Sequence, residues 1–415
     1  MRKSVIIIGG GIAGLSAATE LLRHDYTVTL LEAKERFGGR VHTIRDGSLP
    51  IELGAEFVHG KSKPLLKAIR AAGLSLDEVP ARNRLYENGK MRSIRIWDKV
   101  GEVMNRINPR TPDCSFEEFL GRQKLDARTR RLMLAFVQGF DAAHPERISA
   151  HGLLKAERSA EKMEGEAQAR VHEGYSALVR FFEKEIRSRG GALVPNALVR
   201  RVRWKSGAVE IIVHRAGSEE MFPAEAALVT LPLGVWKARE VLFEPALPKK
   251  QAAADALQFG NVLKITLVFR KQWWPEGDFG FIQAPKERIP VWWSDPRGPI
   301  LTGWAGGPQT DRLQAHSPAQ LETLALDILR KIFGTVSLRR QLVSSHFYNW
   351  ANDPHTRGAY SYIPVNGLAL PKLLGAPVKG TLFFAGEATV TDAQMGTVFG
   401  ALESGQRAAR EILKV

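Results

Sequence analysis

The 415-residue sequence contains a single cysteine, Cys114. One thiol cannot build a disulfide framework or a thiolate metal site, so a stapled secretory scaffold and a zinc ribbon are excluded and a reducing cytoplasm is expected. Long hydrophobic runs are missing too: no stretch of about 18 uninterrupted apolar residues occurs, and the sequence closes on GQRAAREILKV, an amphipathic helix end. The first eleven residues, MRKSVIIIGGG, pass straight into an apolar run and a glycine cluster, which leaves no space for a signal peptide. Neither export nor a membrane partner is expected. Acidic residues are in deficit, 44 against 59 Lys+Arg, giving a formal net charge of +15. The excess is scattered over Arg128 to Arg131, Arg200 to Lys205, Lys249 with Lys250 and Arg339 with Arg340, with no basic tail and no aromatic-interleaved patch. Solvated faces account for such a pattern, and nucleic acid is not an expected partner. Repeats and low-complexity segments are also absent.

What is present is an ordinary globular composition, 44% hydrophobic, in a length that suits roughly two to three domains. Lys3 to Ile8 is a β-branched run of strand length, followed by a glycine turn, the helical pattern SAATELLRHD and a second buried strand, Thr27 to Leu31. Beyond Gly38–Gly39 come short alternating segments with turn signals at Asp46–Gly47 and Asn88–Gly89. From about Phe116 to Arg170 the pattern is helical and charge-rich, and Tyr175 to Ser188 continues it up to Gly190–Gly191. Strands are expected up to Leu231 and again over Leu263 to Phe269, Ile300 to Trp304 and Thr381 to Phe384; helices are expected over Pro318 to Phe333 and Thr397 to Leu413.

Gly9, Gly11 and Gly14 form G-x-G-x-x-G between the first strand and the first helix, and Glu32 ends the second strand. The first glycine permits the tight turn, the second a close approach of backbone to pyrophosphate, and the third close packing of helix on strand. N–H groups at the helix start then face the phosphates, and Glu32 accepts hydrogen bonds from ribose hydroxyls. The motif is a dinucleotide site that does not by itself separate FAD from NAD.

The segment LEAKERFGGRVHT, residues 31 to 43, resembles the second glycine signature of the flavin-containing amine oxidases: Glu32, a basic loop with Lys34 and Arg36, then Gly38, Gly39 and Arg40. Further matches are ELGAEFVHG (52 to 60), VTLPLGVW (229 to 236), FGNVLKITLVF (259 to 269), WANDPHTRGAYSY (350 to 362) and FFAGEATVTDAQMGTVFGALESGQRAA (383 to 409). The resemblance covers nearly the whole chain. It implies an α/β fold: a Rossmann-type FAD-binding domain from 1–80, 171–235 and 340–415, and a discontinuous α+β substrate domain from 81–170 and 236–339 with a helical insertion. FAD is the implied cofactor, with Arg36 and Arg40 beside the pyrophosphate, Val199 at the adenine edge, and Gly386 and Glu387 near the ribityl chain. Gly396 and Thr397 open the last helix toward the flavin's pyrimidine end, where its positive pole stabilises developing negative charge.

Lys264 interrupts an apolar strand in which Val262, Thr266 and Val268 share its face and Leu263, Ile265, Leu267 and Phe269 share the other. Lysines in strands are most often edge or surface residues; the resemblance makes this one the family's lysine that holds a water at flavin N5. Ala359 stands where monoamine oxidases carry the cysteine that attaches flavin, so FAD is expected to be non-covalent. Phe57 stands where amino-acid oxidases carry a carboxylate-clamping arginine, which counts against an α-amino-acid substrate. His59 matches a position that polyamine oxidases fill with histidine or glutamate, Tyr360 an aromatic wall beside the flavin, and Thr397 replaces the second cage tyrosine of monoamine oxidases. Trp292, Trp293 and Trp304, with the helical insertion, are candidates for the outer wall of the pocket.

The implied reaction is hydride transfer from the carbon α to a neutral amine, the amine being secondary or bulky and primary. Hydrolysis of the imine follows, and reoxidation by O2 gives H2O2. Three alternatives stay open: a carbon–carbon desaturase or porphyrinogen-type oxidase, an L-amino-acid oxidase, and a non-enzymatic flavoprotein. Histone demethylation is disfavoured for want of the long helical tower of that subfamily.

Overall fold

The apolar runs of the sequence assemble into one five-stranded parallel sheet, in the order Ala192–Val194, Thr27–Leu31, Ser4–Ile8, Ala226–Val229, Leu382–Phe384. The computed structural model describes residues 3–80, 82–275, 280–334, 337–392 and 394–415; Met1 and Arg2 of the opening run and Ala393 of the last signature lie outside them. Numbered along the chain, the strand order is 3-2-1-4-5, a doubly wound sheet. Val5, Ile7, Val28, Leu30, Leu228 and Phe383 pack on one face against the helices Ile12–Leu22, Ser176–Ser188 and Val398–Ile412. Their neighbours Ile6, Ile8, Leu31, Val229 and Phe384 pack on the other face with Val202, Val209, Ile211 and Val213 of a small, mostly antiparallel sheet. Burial on both faces is why these strands read as unbroken apolar runs. The first and last helices lie in close contact: Ser16 Oγ donates to Leu402 O at 2.8 Å, and a Cβ on Gly405 would stand 2.1 Å from Ala13 O.

A second sheet has seven strands, Leu342–Asn349, Val262–Phe269, Ile300–Gly306, Val291–Asp295, Phe281–Gln283, Asn83–Glu87 and Lys90–Ile94. Both turn signals lie in hairpins, Thr43–Asp46 with Leu49–Glu52 and Asn83–Glu87 with Lys90–Ile94. In the second, Asn88 and Gly89 both have positive φ, 53° and 73°, as the favoured two-residue hairpin turn requires.

The structure departs from the sequence reading in three places. Lys63–Ala71 and Ile96–Met104 are helices where short alternating segments are expected; each places its apolar residues at helical spacing, Leu65 with Ile69 and Ile96 with Val100, Val103 and Met104. The helical insertion, built from Phe116–Gly121, Ala127–Phe140 and Ala150–Glu161, ends before Arg170. Gln168–Val171 is instead a strand, paired with Phe57–His59 and Leu76–Glu78. Leu342–Asn349, which the boundary at 340 assigns to the dinucleotide part, pairs with Val262–Phe269 in the larger sheet. Among the described residues no helix is long and apolar enough to cross a membrane.

Candidate active site

Glycines shape the first turn. Gly9 has φ +106° and a Cβ there would meet Thr230 Oγ1 at 2.5 Å, and a Cβ on Gly14 would stand 2.1 Å from Gly9 O. Gly11 differs: its missing Cβ has nothing within 4 Å, and it caps the first helix with no side-chain hydrogen bond. The helix start therefore opens onto free space. Glu32 is buried, its two oxygens accepting from Gly10 N at 2.7 Å and Lys34 N at 3.0 Å. Burial raises its pKa, and these two N–H donors partly counter that. A carboxylate has about four acceptor sites, so two remain for ribose hydroxyls.

Glu32 and Val199 line a cavity of 110 Å³ together with Gly9, Gly39 and Arg40. Arg40 also walls a 10 Å³ cleft and a chamber of 320 Å³, so all three spaces border this one residue. Its guanidinium donates to Ala359 O at 2.6 Å and to Glu387 Oε1 at 2.8 Å. Glu387 Oε2 accepts from Ser361 Oγ at 2.6 Å and Gly396 N at 3.0 Å, which ties the Gly-Gly-Arg loop to the entry of the last helix. Gly386, with φ +125° and nothing near its missing Cβ, lines both the cleft and the chamber. An acidic ribose acceptor, an open helix start and three cavities that share Arg40 fit an extended dinucleotide such as FAD. Arg36, expected beside the pyrophosphate, lines none of these spaces. The turn at Gly38 and Gly39, with φ of +102° and +57°, folds it back to donate to Phe37, Gly39 and Val41 carbonyls. It braces the turn from behind.

The chamber brings together Lys264, His59, Tyr360, Thr397, Gly38, Gly396, Phe57 and Ala359. Tyr360 donates to Phe140 O at 2.8 Å, and its ring lies 2.9 Å from where a Gly396 Cβ would stand, so the glycine seats the ring. His59 lies edge-on to Phe57 and Phe140, and its Nδ1 has no partner. Burial lowers its pKa to about 4, so the imidazole is neutral at working pH. Thr397 lines the chamber, but its hydroxyl is engaged as a cap, donating to Gln394 O at 2.8 Å and accepting from Gly400 N at 3.0 Å. It holds the helix start rather than offering a free hydroxyl. Trp293 and Trp304 line the chamber, whereas Trp292 is fully buried in the core on the other side of the sheet. Phe136, Phe140, Leu153 and Ala156 of the helical insertion complete the wall.

Sequence reasoning missed three residues. Glu56, inside the quoted ELGAEFVHG, accepts from the Lys264 ammonium at 2.5 Å, from Arg170 Nε at 2.7 Å and from Trp293 Nε1 at 2.8 Å. Arg170 stacks on Phe57 with 4.6 Å from its Cζ to the ring centroid and lies behind that ring, outside the chamber lining. Asp141 follows the helix Ala127–Phe140, lines the chamber, and leaves Oδ2 without a partner. Burial, with Glu157 adding to it, raises its pKa to about 7. Nothing local marks Asp141 or Arg170 in the sequence; a buried triad is visible only once distant strands are in place.

A doubly wound dinucleotide cradle that opens into an aromatic chamber beside a buried lysine defines a flavoprotein oxidoreductase. The model of the flavin-containing amine oxidoreductase family matches residues 12–413, and the chain belongs to that family. Probable polyamine oxidase 4 of Arabidopsis thaliana is 28% identical over 449 residues, covering 99% of this chain and 87% of the relative. Among solved structures, wild-type putrescine oxidase bound to putrescine superposes with a TM-score of 0.86 at 20% identity over 100% of both chains. Cyclohexylamine oxidase from Brevibacterium oxydans IH-35A gives 0.85 at 21% identity, over 100% of this chain and 99% of the other. The protein is an FAD-dependent amine oxidoreductase, and nothing in these likenesses favours the desaturase, amino-acid oxidase or non-enzymatic alternatives.

Proposed function

We propose that the protein oxidises the carbon–nitrogen bond of a secondary or bulky primary amine to an imine, holding FAD non-covalently and using O2 as acceptor to give H2O2. The observation that carries this reading is the chamber itself, where Lys264 and Tyr360 line an aromatic space with Phe57 in place of a carboxylate clamp. Bound FAD supplies the two-electron redox chemistry. The protein's part is positional and electrostatic: Glu32, Val199 and Arg40 hold the dinucleotide, and the start of the last helix at Gly396 and Thr397 offers its positive pole. Tyr360, Trp293 and Trp304 exclude water, and His59 and Phe57 shape the substrate side.

Ala359 lies in the chamber wall with no sulfur, and Cys114 is not among the lining residues. Acid or heat should therefore release all the yellow flavin as free FAD; flavin left on the denatured chain would refute non-covalent binding. Glu32→Ala should weaken FAD retention by about 1.5–3 kcal/mol through lost ribose hydrogen bonds to a charged acceptor. Equilibrium titration of the apoprotein reads this, and an unchanged affinity removes Glu32 from the site.

The substrate class is tested by a peroxide assay across N-alkyl amines, primary amines and L-amino acids. N-alkyl amines should turn over and L-amino acids scarcely at all, because the arginine stacked on Phe57 is held by Glu56 and Ser294 O outside the chamber. Hydride loss needs the nitrogen lone pair, so activity should rise from neutral to mildly alkaline pH. Asp141 acts in the same direction: neutral below about 7 and anionic above it, it attracts a cationic substrate only on the alkaline side. Robust turnover of an L-amino acid with the amines inert would overturn the proposal.

A further inference from the structure

Three charges are buried side by side at the chamber wall, Lys264 and Glu56 lining the chamber and Arg170 lying outside it. Glu56 is 6% exposed, Lys264 2% and Arg170 1%. Glu56 uses Oε2 for the lysine and Oε1 for the arginine and the Trp293 indole. An ammonium has three N–H donors. Among the described residues Lys264 engages one with Glu56 and one with Gly54 O at 3.2 Å, which leaves the third for the chamber it lines. The carboxylate thus sits between two cations at a buried point of the chamber wall. Remove it, and each cation disfavours the charge of the other with nothing between them.

Other ionisable groups lie near, and none of those that follow replaces Glu56. Glu52 is engaged by Thr43 Oγ1 at 2.6 Å and Tyr175 N at 2.7 Å. Asp295 and Arg297 close on each other at 2.6 Å and 2.9 Å. Tyr348, beside Lys264 in the sheet, donates to Asp353 at 2.7 Å.

We propose that Glu56 is the positioning residue of Lys264: its carboxylate fixes the ammonium at one point of the chamber wall and, by standing between lysine and Arg170, keeps the positive charge there. This rests on the reading of Lys264 as the group that assists the flavin's reaction with O2. Burial pushes the Glu56 carboxyl up, but Lys264 and Arg170 outweigh it and hold the group down to about 2, so it is anionic at every working pH.

The test is Glu56→Gln, studied as holoenzyme. Stopped-flow reoxidation should slow about tenfold at pH 8 and acquire a step absent from the wild type, becoming faster as pH falls and the lysine regains its proton. In Glu56→Gln with Lys264→Met the step should vanish. A second readout does not depend on turnover: in protein labelled with ¹³C at the lysine ε-carbon, the resonance missing from Lys264→Met should titrate at lower pH in Glu56→Gln than in the wild type. Wild-type reoxidation with a wild-type pH profile, or an unshifted Lys264 resonance, overturns the proposal. Should Glu56→Gln fail to fold, Glu56→Asp keeps the charge but draws it back from the ammonium. It should reoxidise more slowly with a flat pH profile, and a wild-type rate there overturns the proposal equally. If Lys264→Met alone reoxidises at the wild-type rate, the reading of the lysine fails, and the resonance still decides the role of Glu56.

Discussion

Lys264→Met should slow the reaction of reduced enzyme with O2 by about 10²- to 10³-fold, the scale of losing one preorganised donor where negative charge develops. Methionine matches the length and apolar packing of the lysine stem, so the central strand Val262–Phe269, buried throughout, should keep its place. The remaining carboxylate is not orphaned, because Glu56 retains Arg170 at 2.7 Å and Trp293 at 2.8 Å. The lost quantity is the positive charge of the triad, together with the one lysine N–H that faces the chamber. Stopped-flow mixing of reduced enzyme with oxygenated buffer reads the rate, and a wild-type rate would remove Lys264 from the reaction. Stability against acid gives a second check. Glu56 is depressed from 4.5 to about 2 in the folded protein, so its stabilising contribution is complete above 4.5 and is lost as pH falls toward 2. Without the lysine there is less depression, and this part of the acid-induced loss should shrink.

Legibility in the sequence follows the range of the interaction. The parallel sheet could be read because strands buried on both faces leave a local imprint, SVIII and TVTLL, and because glycine spacing records the approach of helix to strand within a few residues. The two faces of Val262–Phe269 could be read for the same reason: Leu263, Ile265, Leu267 and Phe269 enter a single core cluster. Period two also says that Trp292 and Trp293 point to opposite sides, but not which one meets the chamber. Register settles that, with Trp292 packed over Gly303 and Trp293 turned toward Glu56. Arg36 and Arg40 are alike as sequence, and only the two left-handed glycines between them send one backward and one to the cavities. The Glu56 contacts span 114 residues to Arg170 and 208 to Lys264, and no local pattern encodes such pairs.

Gly54→Ala should cost the protein both stability and flavin, although alanine is conformationally acceptable there. The backbone at Gly54 is outside the left-handed region, so the whole effect is collision. A Cβ would stand 1.9 Å from Arg40 O and 2.9 Å from Trp350 Cζ2. Neither neighbour can swing away. Arg40 O accepts from Ala55 N at 3.0 Å, and the Trp350 indole is held to Leu53 O at 3.1 Å. The chain around residue 54 must therefore move away from the Gly-Gly-Arg loop. Overpacking of this kind costs about 1–3 kcal/mol, and more when backbone is struck. Two functional groups move with it: Arg40, which walls all three cavities, and Gly54 O, the second acceptor of the Lys264 ammonium. Since FAD stabilises the fold by an amount that rises with the logarithm of its affinity, weaker binding adds to the loss. Gly47→Ala is the control. Its φ is +57° with nothing within 4 Å of the added Cβ, so it carries left-handed strain alone, about 1–2 kcal/mol, at a hairpin remote from the cofactor. The FAD-to-protein ratio after gel filtration and the thermal unfolding midpoint should both fall for Gly54→Ala, and only the midpoint for Gly47→Ala. Full FAD occupancy in Gly54→Ala, with a midpoint no lower than the control's, would show that the loop yields freely and that its close approach to residue 54 does not set the cofactor site.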